Sequence, residues 1–313
     1  MIEYRRNSHS LLKGLLRMKK VVILLFCFLL LLAGAAAADS VSFGSVSFPR
    51  EAEAIDLGEQ TVEDWDAFIA FLGGFPNLKQ VDMFSTIVEK KQINRLVEAF
   101  PDIHFGWTIH ITHKHYIRTD QTAYSTLHGQ CAPHPSKVFE VLKYCTELRA
   151  LDLGHNTLTD LSFLEPLTHL RVLILACNPN LKNIQVLSGL KDLEYIELFS
   201  TAITDLTPLG DLPHLMDLNV ANNRISKWKV LLEMPQLRRL WIPVNDKNAD
   251  LLREALPDTK VVNHGQPTGN GWRRFEDETE HPHYSVIYRM FREDQYIPFE
   301  ESAPWPEEAE AEQ

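Results

Sequence analysis

Five tripeptides in register constrain this 313-residue chain more than any other feature. Leu151-Asp152-Leu153, Leu173-Ile174-Leu175, Ile196-Glu197-Leu198, Leu218-Asn219-Val220 and Leu240-Trp241-Ile242 start 22, 23, 22 and 22 residues apart. Another leucine stands three residues before each: Leu148, Leu170, Leu193, Leu215 and Leu237. Asn156, Asn178, Thr201, Asn223 or Asn245 stands three residues after it. The alternation reads as a short strand with its leucines on one side and their neighbours on the other. Leucines of one coil can be buried only against the next coil, so a chain with this period must stack. The five polar residues form an expected turn ladder, because an amide both donates and accepts hydrogen bonds at a buried bend. Thr201 keeps only a hydroxyl and is expected to hold its turn less firmly.

The return half of each coil is also legible. Ser162-Phe163-Leu164-Glu165 has capping-box form, and Thr207-Pro208 offers an N-cap followed by proline at the first helical position. Pro213 and Pro235 stand two residues before the next leucine and discourage helical continuation. Single 3₁₀ or helical turns are therefore expected there. L-x-x-L-x-L-x-x-N at this period is the pattern of a leucine-rich-repeat solenoid. Asp160-Leu161-Ser162-Phe163-Leu164 and Asp205-Leu206-Thr207-Pro208-Leu209 resemble the 22-residue repeats of internalin-type secreted bacterial proteins. The expected fold is an α/β solenoid: a right-handed curved stack with a parallel concave β-sheet and short 3₁₀ or helical convex segments. The resemblance implies a binding surface and does not name its ligand.

Upstream the repeat degenerates. Ile55-Asp56-Leu57 and Val81-Asp82-Met83 read as strand centres, with an amphipathic helix over 61–72 between them. Residues 87–100 read as a second helix, and Ile103, Phe105, Trp107, Ile109 and Ile111 alternate as a strand. Leu96-Val97-Glu98-Ala99-Phe100-Pro101-Asp102 matches Leu252-Arg253-Glu254-Ala255-Leu256-Pro257-Asp258, two helix-to-strand junctions of one kind. Residues 39–147 are thus expected to hold longer repeats with true helices and an N-terminal cap, and 148–264 the regular repeats. Between His113 and Pro135 the register is lost, with a degenerate repeat near Ser125-Thr126-Leu127 as one reading.

The first 38 residues read as an export signal: Met18-Lys19-Lys20, an apolar run from Val21 to Leu32, then small residues to a cleavage point after Ala38. Met18 is the expected initiator. An uncleaved anchor is the alternative, since Val21 to Ala38 reaches the lower length of a membrane helix. The expected location is therefore secreted or envelope-associated, or N-terminally membrane-anchored. Of Cys131, Cys145 and Cys177, the first two could pair, and Cys145 and Cys177 also read as apolar fillers. The net charge of −11 argues against nucleic acid and anionic lipid as partners. Residues 300–313 read as an acidic disordered tail, and 265–299 as a linker and helical C-terminal cap. In that cap, Tyr284, Ile287, Tyr288 and Phe291 share a helical face, with Val286 and Met290 beside it.

A partner is expected on the concave strand positions: Arg149, Asp152, Arg171, Ile174, Glu194, Tyr195, Glu197, Phe199, Met216, Asp217, Asn219, Arg238, Arg239 and Trp241. Arginines flank a central strand carrying two glutamates, which suits a protein or peptide better than a polyanion. Tyr195, Phe199, Met216 and Trp241 have no core role in this register and belong to residue types enriched in interface hot spots. The primary reading is a non-enzymatic, monomeric binding module with no cofactor. A self-associating surface scaffold is the alternative. A metal-binding or hydrolytic enzyme using the histidine-rich 104–134 region comes third, with His110, His113 and His115 as weak metal candidates; no catalytic residue is assigned.

Overall fold

The structure is a computed structural model that describes residues 39–112, 115–126, 133–263 and 281–299. The expected export signal and acidic tail lie outside the described residues, as do His113, His128, Cys131 and residues 264–280. The chain divides into two compact units, 1–55 with 63–79 and 56–62 with 80–313.

The smaller unit holds a hairpin of β1 (Ser40–Phe43) and β2 (Val46–Pro49), paired antiparallel. Its helix α1 (Trp65–Leu72) starts where the Asp64 carboxylate accepts from the Asp66 and Ala67 N–H groups. Phe43 packs on Phe68 and Phe71, with ring centroids 5.1 and 5.3 Å away. This unit is an aromatic cluster rather than a leucine stack. Strand β3 (Ala54–Asp56) follows the hairpin.

In the larger unit, β4 (Gln80–Val88) pairs parallel with β5 (His104–Thr112), placing Val81 beside Phe105 and Met83 beside Trp107. Helix α2 (Lys90–Ala99) joins them and buries Ile93 and Leu96. β5 then turns into β6 (His115–Arg118), antiparallel to it. The lost register resolves here, because this hairpin interrupts the stack.

The stack proper begins at β7 (Ala123–Ser125), which overlaps the expected degenerate repeat near Ser125-Thr126-Leu127 at Ser125. The short helix α3 (Ser136–Phe139) follows it. Seven parallel strands then stand in sequence order: β7, β8 (Ala150–Asp152), β9 (Val172–Ile174), β10 (Tyr195–Glu197), β11 (Asp217–Asn219), β12 (Arg239–Trp241) and β13 (Lys260–Val262). The register places Leu151, Leu173, Ile196, Leu218 and Leu240 in one row. All five are fully buried, as are Leu148, Leu170, Leu193, Leu215 and Leu237. The fold is a leucine-rich-repeat solenoid.

Opposite the strands lie 3₁₀ turns at Ser162–Leu164, Gln185–Gly189, Thr207–Leu209 and Lys229–Glu233. The Ser162-to-Glu165 capping box does not form. Instead Asp160 Oδ1 accepts from the Ser162 N–H at 3.2 Å, and Asn183 and Asp205 play the same part at 2.9 Å for Gln185 and Thr207. A side chain two residues ahead closes these tight turns more readily than one at the turn itself.

Strands β8, β9, β10 and β11 each end in a recurrent bend. His155, Cys177, Ser200 and Asn222 all adopt positive φ, between 54° and 57°. The next residue carries the turn amide. Asn178 Nδ2 donates to the Leu153 and Leu175 carbonyls at 3.0 and 2.9 Å, while its Oδ1 accepts from the Leu158 N–H. Asn156 and Asn223 make equivalent sets. At Thr201 the hydroxyl lies 3.2 Å from the Leu198 carbonyl and 2.8 Å from Asn223 Oδ1, so it keeps one tie to its own coil and one to the next. Asn245 departs from the ladder. It caps helix α4 (Asp246–Ala255) by accepting from the Asn248 N–H, because a true helix replaces the 3₁₀ turn in this coil.

Candidate functional site

Strands β7 to β11 bury both faces. Their central residues point into the stack, while the flanking residues face a second core on the concave side. Helix α5 (Tyr284–Glu293) makes that core, contacting β7 and β8. Val286, Ile287, Met290 and Phe291 pack with Ala123, Ala150, Val172, Ile174, Ala176 and Tyr195. Small side chains at Ala123, Ala150 and Val172 leave the depth that a helix needs. Tyr296, Ile297 and Phe299 continue the same core beyond the helix. The expected terminal helix is present, and it covers the inner sheet.

This corrects the expected open concave surface. Asp152, Ile174, Tyr195, Glu197, Asp217, Asn219 and Trp241 are buried, Tyr195 to 2% exposure and Trp241 to 7%. Arg171, Glu194, Phe199, Met216 and Arg239 are half-buried, and only Arg149 and Arg238 of the candidate set are exposed. Ile196 and Leu198 still face the stack at 0% exposure. The strand register holds, but Tyr195 does have a core role. It belongs to a core built by a distant segment. On the helix, Tyr288 turns outward at 53% exposure, so the buried stripe is centred on Val286 and Met290 instead.

Polar contacts fasten this segment along its length. The Tyr296 N–H donates to Thr122 Oγ1 at 2.8 Å. Arg171 pairs with Glu194 at 3.1 Å, and the Tyr296 hydroxyl lies 3.4 Å from the Arg171 guanidinium. At the other end, His283 Nδ1 lies 2.6 Å from Asp217 Oδ2 and His281 Nε2 lies 3.6 Å from the same oxygen. Arg239 Nη1 takes the other oxygen, Oδ1, at 2.7 Å. Phe299 stacks on His283 with centroids 3.9 Å apart and planes 10° apart. Trp241 and Tyr195 pack against His281 at 5.6 and 5.9 Å.

The electrostatics follow from burial. Burial pushes the Asp217 carboxyl up, but the His281 and His283 rings and the Arg239 guanidinium outweigh it and hold it below the ordinary carboxylate range. Burial lowers His281 to about 3, against the pull of Asp217, so that ring is neutral at neutral pH. Burial likewise carries the Tyr195 hydroxyl well above its usual value, so it stays protonated. Asp152 is fully engaged, accepting from Ser125 Oγ and the Gly154 N–H at 2.9 Å each.

Among the described residues of the histidine-rich region, His115 and His134 meet edge to face at 6.2 Å, but His110 stands apart from them. His110 Nδ1 pairs with Glu89 at 2.8 Å and its ring stacks on Tyr116, whereas His115 Nδ1 bonds Thr112 Oγ1 at 2.8 Å. The β5–β6 hairpin sets the two rings in separate networks, and His113 lies outside the described residues. Among the described residues, the cluster of metal-ligand type is Asp217, His281 and His283. Sequence reasoning passed over these histidines, although His281-Pro282-His283 was a usable signal. Cys145 is a free thiol, fully buried, so it is a core filler in this structure.

No protein-family model matches the chain. A Roc-COR-CHAT protease from an unknown prokaryotic organism is 30% identical over 105 residues, which is 33% of this chain and 10% of that protein. The chain thus spans a tenth of the curated relative it matches. Among solved structures it is similar to internalin C2 of Listeria monocytogenes, with 22% identity, 67% of this chain and 80% of that one covered, and a TM-score of 0.35. It is also similar to a leucine-rich-repeat protein of Leptospira interrogans, with 18% identity, 78% and 60% covered, and a TM-score of 0.37. None of these likenesses bears on what this chain binds.

Proposed function

We propose that this chain is an exported, non-enzymatic leucine-rich-repeat module that binds a protein or peptide on its concave strand surface, with residues 281–299 holding that surface until a partner replaces them. The observation that carries this reading is the seated helix itself. The inner sheet receives an amphipathic helix through Val286, Ile287, Met290 and Phe291, and engages charged groups at both ends of the segment. A sheet that accommodates its own helix offers helix-in-groove recognition to another chain with the same stripe. Exposed Arg149 and Arg238 at the rim supply charges that select among such partners.

The test is capture from envelope and culture-medium fractions by the full chain and by its Ile287→Asp/Phe291→Asp variant. Loosening the helix should increase capture of a specific partner, and Tyr195→Ala/Trp241→Ala should abolish it. A partner retained equally by all three proteins would move the binding surface elsewhere. Export is supported by the charged and apolar segment at 18–38, and the N-terminus of the exported protein tests it. Monomeric behaviour is expected, and a solution mass that rises with concentration would favour the self-associating scaffold.

A further inference from the structure

We propose that Asp217, His281 and His283 form a binding site for a zinc-class divalent cation that clamps the C-terminal segment onto strand β11. Their candidate ligand atoms all lie within 4.8 Å of one another, and all three residues are buried. Two imidazoles and one carboxylate oxygen are a donor set for zinc or a neighbouring transition metal. Calcium and magnesium call for more oxygen donors than the cluster offers. In a tetrahedral zinc site, ligand atoms stand roughly 3.3 Å apart, given metal–ligand bonds near 2.0 Å. The observed separations of 2.6 and 3.6 Å bracket that value.

The surroundings are arranged as an outer shell would be. Arg239 holds Asp217 Oδ1 at 2.7 Å and leaves Oδ2 facing both rings. Pro282 biases His281 toward an extended backbone and sets the two rings on one carboxylate. Trp241, Tyr195 and Phe299 pack around the imidazoles, and three protein ligands leave the fourth tetrahedral position to a water. The His283 backbone N–H donates to His281 Nδ1 at 3.1 Å, which places that ring's proton on Nε2. A cation at Nε2 shifts the proton to Nδ1 and gives up this one hydrogen bond. The clamp joins two parts of the chain 66 residues apart, and its existence does not depend on whether a partner ever displaces the segment.

The experiment uses the untagged full chain, stripped with chelator and titrated with Zn²⁺ by calorimetry. One equivalent should bind, and His281→Ala or His283→Ala should each weaken binding by about a hundredfold or more. His214→Ala, which removes an exposed histidine, should leave affinity unchanged. Co²⁺ in place of Zn²⁺ should give the visible absorption of a nitrogen- and oxygen-ligated ion without thiolate charge-transfer bands. Zn²⁺ should also slow proteolysis within 281–299. Failure of the unaltered chain to bind one equivalent overturns the proposal, whether or not the variants fold. Binding that survives both histidine substitutions, or thiolate bands with Co²⁺, overturns it as well.

Discussion

His283 Nδ1 stands 2.6 Å from Asp217 Oδ2 across 66 residues of chain, and this contact ties the last described segment to the middle of the repeat stack. The carboxylate is shared with Arg239, whose side chain is 15% exposed against 1% for Asp217. Removing one member of a buried ion pair costs more than the pair contributes, because the remaining charge loses its partner in a poorly solvated place. Asp217→Ala is therefore expected to destabilise the protein by about 3 kcal/mol. Asp217→Asn, which keeps the shape and one acceptor, should cost less. Urea unfolding of both variants checks this, and equal costs would show that charge rather than shape matters.

The turn ladder predicts a contrast between two asparagines that look alike in sequence. Asn178 is fully buried and serves Leu158 N–H and the Leu175 carbonyl, so Asn178→Ala should cost about 3 kcal/mol. Asn245 only caps a helix at the surface, and Asn245→Ala should cost about 1 kcal/mol. Thermal melts of the two variants would reveal the difference. A smaller loss at Asn178 than at Asn245 would contradict the ladder.

Ser200 has φ of 54° at the bend after β10. Branched side chains are strained in that region, so Ser200→Val should cost about 2 kcal/mol. Asn222 occupies the equivalent bend one coil later at 55°, and Ser200→Asn should be neutral or mildly stabilising. Denaturant midpoints of the pair separate backbone strain from loss of the hydroxyl, since both variants lack it.

Acid should weaken one inter-coil tie. Lys227, with Thr207 behind it, holds the Asp205 carboxyl down to about 2, below its unfolded value. A depressed carboxylate contributes stability above the unfolded pKa and loses it as pH falls through the folded one. The contribution of this exposed pair is small and should fade between roughly pH 4 and 2. Lys227→Met should raise the Asp205 titration midpoint, observed by side-chain carboxyl resonances. An unmoved midpoint would assign the shift to Thr207 instead.

Much of the stack was readable from single positions. Leu173, Ile196 and Leu218 recur at the coil period and each touches the coil beside it, so local periodicity carries the whole instruction for that core. Leu96 and Leu252 announced the same helix-to-strand junction, and in both the N–H four residues later donates back at 2.8 Å. The β5–β6 hairpin was not readable, since it breaks the period and has no repeat to compare with.

The amino-acid order by itself determined which side chains form the leucine spine, because repeat spacing dictates the contacts between neighbouring coils. Only the tertiary structure decided the fate of the opposite face. Ala150, Val172 and Tyr195 suit either an exposed groove or a covered one, and alternation along a strand cannot tell the two apart. The amphipathic stripe of α5 is likewise compatible with the end of the stack or with its inner sheet. What settles them is the pairing of segments far apart in sequence: the helix fits where Ala123, Ala150 and Val172 leave room, and His283 meets a carboxylate that no local pattern assigns to it.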